Sequence, residues 1–357
     1  MKHGWEYKKF TDVCDVQYGF AFDSKFFTDD ENAMPLIRIR DVMRGYSETF
    51  YNGEIPNGYL INEGDYLVGM DGEFNIGRWG KRPGLLNQRV CKMSSSSKLL
   101  DNQYMYYFMK VCLKSIEDET PFVTVKHLSA KRINLIKIPL PPLLTQQSIA
   151  SELDKINELI RLKKEQLKDY DNLVQSIFYE MFGDPVVNEK GWEVKKFADL
   201  YKLKSGDSLS AKNFVEGEIP VYGGNGISGY HNDFNMDGDF IIIGRVGVYC
   251  GNVREVHGKF WLTDNAFQLF YSREIQSPCF IHYLLEILDL HKYANAAAQP
   301  VISNLTLKDV EIIIPPLSLQ QLFAKRIELI EQQKAEIQTT IADLETLLAS
   351  RMQYWFD

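Results

Sequence analysis

The 357-residue chain is poor in the features that would place it in several common classes. Its five cysteines are scattered and odd in number, and no Cys-x-x-Cys pair occurs, so neither a disulfide framework nor a thiolate zinc site is expected. No run of 18 apolar residues and no charged-then-apolar leader is found, which points to a cytoplasmic protein. There is no excess of positive charge: the formal net charge is −8, which argues against indiscriminate nucleic-acid binding but leaves room for a local basic face. Catalytic signatures are missing as well. No Gly-Lys pair is followed by Ser or Thr, so there is no phosphate loop. No His-Glu-x-x-His, no Gly-x-Ser-x-Gly elbow, no Asn-Pro-Pro-aromatic tetrapeptide and no Gly-rich S-adenosylmethionine turn occurs either. The expectation is a chain that does no covalent chemistry and carries no cofactor or metal of its own.

What the sequence does contain is a repeat. Gly4-Trp5-Glu6-Tyr7-Lys8-Lys9-Phe10 returns as Gly191-Trp192-Glu193-Val194-Lys195-Lys196-Phe197. Pro141-Pro142-Leu143 with Gln146-Gln147 returns as Pro315-Pro316-Leu317 with Gln320-Gln321, at an offset of 174 residues (315 − 141). Behind each Pro pair the apolar residues recur in steps of four and three. The first set is Ile149, Leu153, Ile156, Ile160, Leu167, Tyr170 and Val174, skipping Lys163; the second is Ile327, Ile330, Ile337, Ile341, Leu344 and Leu348, skipping Lys334. That spacing is a heptad seam and predicts two helices of about 36 residues, each a rod of about 54 Å. Thr145 and Ser318 stand where N-caps are expected, and the Pro pairs suit a helix start. The polar interruptions fall at different places, Lys163 in one helix and Lys334 in the other. That suits two helices that pair with each other and not with themselves.

Between the helical stretches the pattern changes to short strands and turns. Pro35–Arg40, Asp65–Val68 and Asp239–Ile243 read as strands, and one helix is expected near Tyr104–Leu113 and one near Phe280–Leu290. The fold expected is mixed α/β: globular residues 1–140, a helix over 141–183, globular residues 184–314, and a helix over 315–357. The two helices would form an antiparallel coiled coil.

Binding signals concentrate in the globular parts. Residues 76–98 hold Arg78, Lys81, Arg82, Arg89, Lys92 and Lys98 with no acidic residue, beside Asn87 and Gln88. Arg38, Arg40 and Arg44 form a smaller basic set, of which Arg38 and Arg40 are the candidate contacts. The related stretch of the second repeat, which also carries Asn252 and Asn265, offers Tyr222, Asn225, Arg245 and Lys259 and is less basic. Arg and Lys suit phosphates and guanine edges, whereas Asn and Gln suit adenine edges. The 76–98 stretch reads as a flexible cationic loop, and these residues are the expected DNA contacts.

Over essentially its full length the chain resembles the specificity subunits of type I restriction-modification systems. The resemblance rests on the paired Gly-Trp-Glu-x-Lys-Lys-Phe starts, the two Pro-Pro-Leu-x-x-Gln-Gln motifs, and Glu180-Met181-Phe182-Gly183-Asp184-Pro185. It implies two target recognition domains, each reading one half of a bipartite double-stranded DNA site. It further implies helices that set the spacer, two methyltransferase subunits that supply S-adenosylmethionine, and restriction subunits that use ATP and Mg2+. The alternative that the residues alone leave open is a coiled-coil adaptor whose two heads bind something other than nucleic acid.

Overall fold

A computed structural model describes residues 4–80, 82–120, 126–295 and 299–356. The chain divides into two units, the first running to Lys164 and taking in the chain from Thr339, the second running from Glu165 to Gln338. The architecture is mixed α/β with two repeats, as the strand and heptad patterns imply.

In the first unit the repeat motif forms a strand, Glu6–Lys9, paired antiparallel with Lys137–Leu140, the segment just before the Pro pair. A four-stranded sheet follows in the order Cys14–Tyr18, Val90–Ser95, Tyr66–Gly69, Ile76–Arg78. The helix Asn102–Glu119 covers it, burying Tyr104, Met105, Phe108 and Met109 against Val68, Cys91 and Met93. A second sheet of five short strands holds Met34–Ile37 parallel to Gly84–Leu86. The stretch 76–98 is therefore not an open loop. It supplies strands to both sheets, and its Trp79 is buried with the indole N–H donated to the Arg82 carbonyl at 2.8 Å. Alternating small and apolar residues (Ile76, Gly77, Gly84, Leu85, Leu86) outweigh the local charge, because their burial holds the strands in place.

The second unit repeats this plan. Glu193–Lys196 pairs antiparallel with Glu311–Ile314. One six-stranded sheet runs in the order Lys202–Ser205, Ala266–Phe270, Met236–Gly244, Val253–Leu262, Ile219–Gly223, Gly226–His231. The helix Pro278–Leu288 packs on it through Phe280, Ile281, Leu284 and Leu285. Its N-cap is Ser277, whose hydroxyl accepts from the Phe280 N–H.

The two long helices span Leu143–Phe182 and Leu317–Phe356, 40 residues each, or about 60 Å of rod. They begin earlier than the cap residues suggested. The N–H groups of Thr145 and Gln146 both donate to the Pro142 carbonyl, and those of Leu319 and Gln320 to the Pro316 carbonyl, so Thr145 and Ser318 lie inside the first turn. Proline explains the shift. Its fixed φ matches the helix and its missing N–H is one that a first turn leaves unbonded anyway. The first helix ends at Gly183, whose φ of +75° few other residues adopt; its N–H donates to the Tyr179 carbonyl at 2.9 Å.

Within each unit the halves of the two helices run antiparallel. In the first, Glu152 meets Arg351 and Trp355, while Lys164 meets Glu345 at 2.7 Å. In the second, Lys334 Nζ lies 2.9 Å from Asp171, and the Phe323 ring lies 5.3 Å from that of Phe182. Ile149, Leu153, Ile156, Ile160 and Ile341 are buried in the first unit, with Leu344 and Leu348 half-buried; Val174, Ile327, Ile330 and Ile337 are buried in the second, with Leu167 half-buried. Among the described residues, no helix is long and apolar enough to cross a membrane.

Candidate nucleic-acid interface

The basic side chains expected to bind DNA occupy different chemical situations in the first unit. Arg38 is exposed at the head of a short turn, where its backbone N–H donates to Asp41 Oδ2 at 2.9 Å. Arg40 beside it donates to Thr49 Oγ1 at 3.0 Å and lies 3.8 Å from Asp41. Arg78 ends an edge strand and is exposed. Arg82 is engaged in structure: its guanidinium donates to the Glu31 and Ala33 carbonyls and lies 5.4 Å from the Phe50 ring. Lys81 lies outside the described residues.

Asn87 is buried, and its side-chain oxygen accepts from the Gln88 N–H at 2.9 Å, so it shapes the turn and presents no edge to a ligand. Gln88 is exposed. Arg89 follows with φ of +69°, a conformation rare for a side-chain-bearing residue. Its Nε lies 3.5 Å from Asp71 Oδ2 and its Nη1 3.4 Å from His127 Nδ1, while His127 is itself bonded to Asp71 Oδ1. Acidic partners thus reach the acid-free stretch from elsewhere in the chain, and Asp65 likewise pairs with Lys92 at 2.9 Å. Asp71 and His127 escaped the sequence reading because nothing local marks them.

In the second unit Tyr222 is half-buried, its ring edge-on to Phe260 at 5.4 Å and its carbonyl accepting from Thr263. Arg245 donates to Ser205 Oγ at 3.1 Å and the Asp264 carbonyl at 3.2 Å, which ties it to the scaffold. Lys259 is exposed, its ammonium 4.4 Å from the Phe234 ring centre. Asn225 is exposed and its carbonyl accepts from Arg254 at 3.5 Å. Arg254 and the exposed Asn265 are polar residues on this unit that the DNA-contact expectation did not include.

These surfaces offer hydrogen-bond donors, amides and cations, the groups that bind phosphate and base edges. Nucleophile chemistry is not favoured: burial pushes the thiols of Cys14, Cys91, Cys112 and Cys279 up to about 12. No group of three or more His, Cys, Asp or Glu side chains among the described residues is placed to hold a metal ion.

With this geometry in hand, the chain can be set beside known proteins. The family model described as the type I restriction modification DNA specificity domain matches twice, at residues 2–169 and 189–346. The Type I restriction enzyme EcoBI specificity subunit of Escherichia coli is 36% identical over 197 residues, covering 54% of this chain and 42% of that protein's length. The EcoprrI specificity subunit of Escherichia coli is 25% identical over 285 residues, 74% of this chain and 71% of that one. The chain thus spans less than half of the first of these relatives and about seven tenths of the second. The fold is shared with the crystal structure of the type I restriction-modification S subunit from M. genitalium, at a TM-score of 0.59 and 17% identity, over 99% of this chain and 96% of that one. A chain from a structure of type I R-M system assembly gives a TM-score of 0.60 at 16% identity, over 100% and 98%. Two matches that together span most of the sequence place the chain in the family of type I restriction modification DNA specificity domains.

Proposed function

We propose that this chain is the DNA-recognition subunit of a type I restriction-modification complex. Each globular part, residues 1–140 and 184–314, reads one half of a bipartite double-stranded DNA site. The long helices over 141–183 and 315–357 set the spacer and dock two methyltransferase subunits. The observation that carries this reading is the internal duplication within a specificity family: one scaffold is present twice, and its exposed residues differ between the copies. A duplicated scaffold with different surfaces suits an asymmetric, two-part target.

Methyl transfer from S-adenosylmethionine belongs to the methyltransferase subunits, and ATP-driven, Mg2+-dependent cleavage to restriction subunits where these are present. This chain supplies the address, acts as no enzyme alone, and works in the cytoplasm. Arg38, Arg40, Arg78, Lys81, Gln88, Arg89, Asn225 and Lys259 are its proposed contacts to DNA. The scaffold roles of Asn87, Tyr222, Arg82 and Arg245 keep them at the edge of that set.

The test is reconstitution with the cognate methyltransferase. The complex should methylate adenines in one bipartite sequence, and the chain alone should transfer no methyl group. A complex that forms but methylates without sequence preference would remove the reading and favour an adaptor role.

A further inference from the structure

The same backbone junction is built once in each repeat. In the first, the Met70 N–H donates to the Arg89 carbonyl at 2.9 Å, the Leu128 N–H to the Met70 carbonyl at 2.7 Å, and the Gly72 N–H to the Lys126 carbonyl at 3.0 Å. In the second, the Arg245 N–H donates to the Asn265 carbonyl at 2.9 Å, the Ile302 N–H to the Arg245 carbonyl at 3.0 Å, and the Gly247 N–H to the Pro300 carbonyl at 2.9 Å. The next strand starts alike: the Val90 carbonyl accepts from Gly19 and the Ala266 carbonyl from Gly206. Three separate chain segments meet in one pattern, so Arg89 and Asn265 are structurally equivalent positions.

Their side chains differ in a way that matters chemically. Both residues are exposed where a strand leaves the junction. An arginine fork matches the O6 and N7 acceptors of guanine, and a carboxamide matches the N6 donor and N7 acceptor of adenine. Asp71 lies at Nε of Arg89 and His127 at Nη1, which limits the rotamers of a long flexible side chain and leaves Nη2 and the second Nη1 hydrogen for a ligand. His127 fixes Asp71 in turn. In the second repeat the positions equivalent to Asp71 and His127, which form the corresponding isolated bridge, are Val246 and Val301, and the short amide of Asn265 needs no such brace.

We infer that Arg89 and Asn265 are equivalent specificity determinants, Arg89 selecting a guanine in one half-site and Asn265 an adenine in the other. Asp71 is the positioning residue for Arg89. This inference rests on the DNA-recognition reading above and goes beyond it by naming one base per half.

The two residues can be exchanged in the full chain, in complex with its methyltransferase, and the methylated sequences mapped by single-molecule sequencing. Arg89→Asn is suited to the positive φ, since asparagine tolerates it. It should change one position of one half-sequence from guanine to adenine and leave the other half intact. Asn265→Arg should do the converse. Arg89→Gly and Asn265→Ala should each relax that single position, with preference falling roughly five- to 150-fold. Wild-type motifs and preferences in all four variants would overturn the inference while leaving DNA recognition standing. A wild-type complex without sequence preference would overturn both.

Discussion

Gln146 and Gln320, 174 positions apart (320 − 146), make the same three hydrogen bonds at the starts of the two long helices. Gln146 donates to the carbonyls of Leu99 and Pro141, each at 2.8 Å, and accepts from the Asp101 N–H at 2.9 Å. Gln320 donates to Ile275 and Pro315 at 3.1 and 2.8 Å and accepts from the Ser277 N–H at 2.9 Å. Asp101 and Ser277 are the N-caps of the two shorter helices, so each buried amide locks a long helix to the globular part it leaves. Replacing either by Leu strands three buried polar groups and should cost about 3 kcal/mol in denaturant unfolding. The exposed neighbours Gln147 and Gln321, replaced in the same way, should change stability by less than about 0.5 kcal/mol.

The pair Glu152–Arg351 joins the two helices within the first unit, with Trp355 donating its indole N–H to the same carboxylate at 3.3 Å. Arg351 holds the Glu152 carboxyl below its usual range, mainly through their hydrogen bond. A depressed carboxyl stabilises the fold above its unfolded value near 4.5 and ceases to do so as pH falls through the folded value. Both side chains are about one-third exposed, so solvent screening keeps the contribution of the pair small. Arg351→Glu should lower the melting temperature at pH 7, and adding Glu152→Arg should restore most of the loss. The equivalent positions in the second unit are Arg326 and Ile177, so no such pair can form there.

His282 lines a cavity of about 890 Å³ with Glu255, His257, Glu286, Glu331 and Lys334. Burial drives its imidazole down to about 4, with opposing help from Glu331 and further lowering by Arg254 and Lys334. Between about pH 6.5 and pH 4 the unfolded chain therefore holds a proton that the folded chain does not. Stability from this group is full above pH 6.5 and is lost as pH falls towards 4, by about 3 kcal/mol in all. Burial raises Glu255 and Glu286, which act in the opposite sense. Comparing His282→Gln with the parent therefore isolates the histidine. The difference in unfolding free energy between the two proteins should slope over pH 4–6.5 and flatten above it.

Arg78 and Arg82 separate binding from folding. Arg78 is exposed on an edge strand, so Arg78→Ala should weaken DNA binding by the complex, reduce the salt slope by about one, and leave thermal stability near that of the parent. Arg82 anchors two carbonyls and the Phe50 ring, so Arg82→Ala should lower thermal stability by about 1–3 kcal/mol and change the salt slope little. Binding isotherms at several salt concentrations with parallel melts distinguish the two.

The heptad seam and the duplication were legible in the sequence because they are periodic and each is written twice. The offset of 174 between the Pro pairs is also the offset between the Gln clamps, although the sequence says nothing of what those amides touch. The Pro pairs start the helices three and two residues ahead of where a Thr145 or a Ser318 cap implies (146 − 143 and 319 − 317). The site was harder. Residues 76–98 read as a free basic loop because their acidic partners, Asp65 and Asp71, lie before the stretch and His127 after it. Only the folded chain brings Asp71 to Arg89. In the sequence Asn265 is one polar residue among several outside the expected DNA contacts; its match to Arg89 exists in backbone bonding and not in residue type.

The central claim is that the paired helices act as a ruler between two reading heads. Seven residues, one full heptad, inserted after Leu162 and again after Gln338 preserve the seam and lengthen the rod by about 10 Å, or about three base pairs. Mapping methylated adenines made by the complex tests this directly. The account predicts both half-sequences unchanged and a longer spacer between them; altered half-sequences with the original spacer would contradict it.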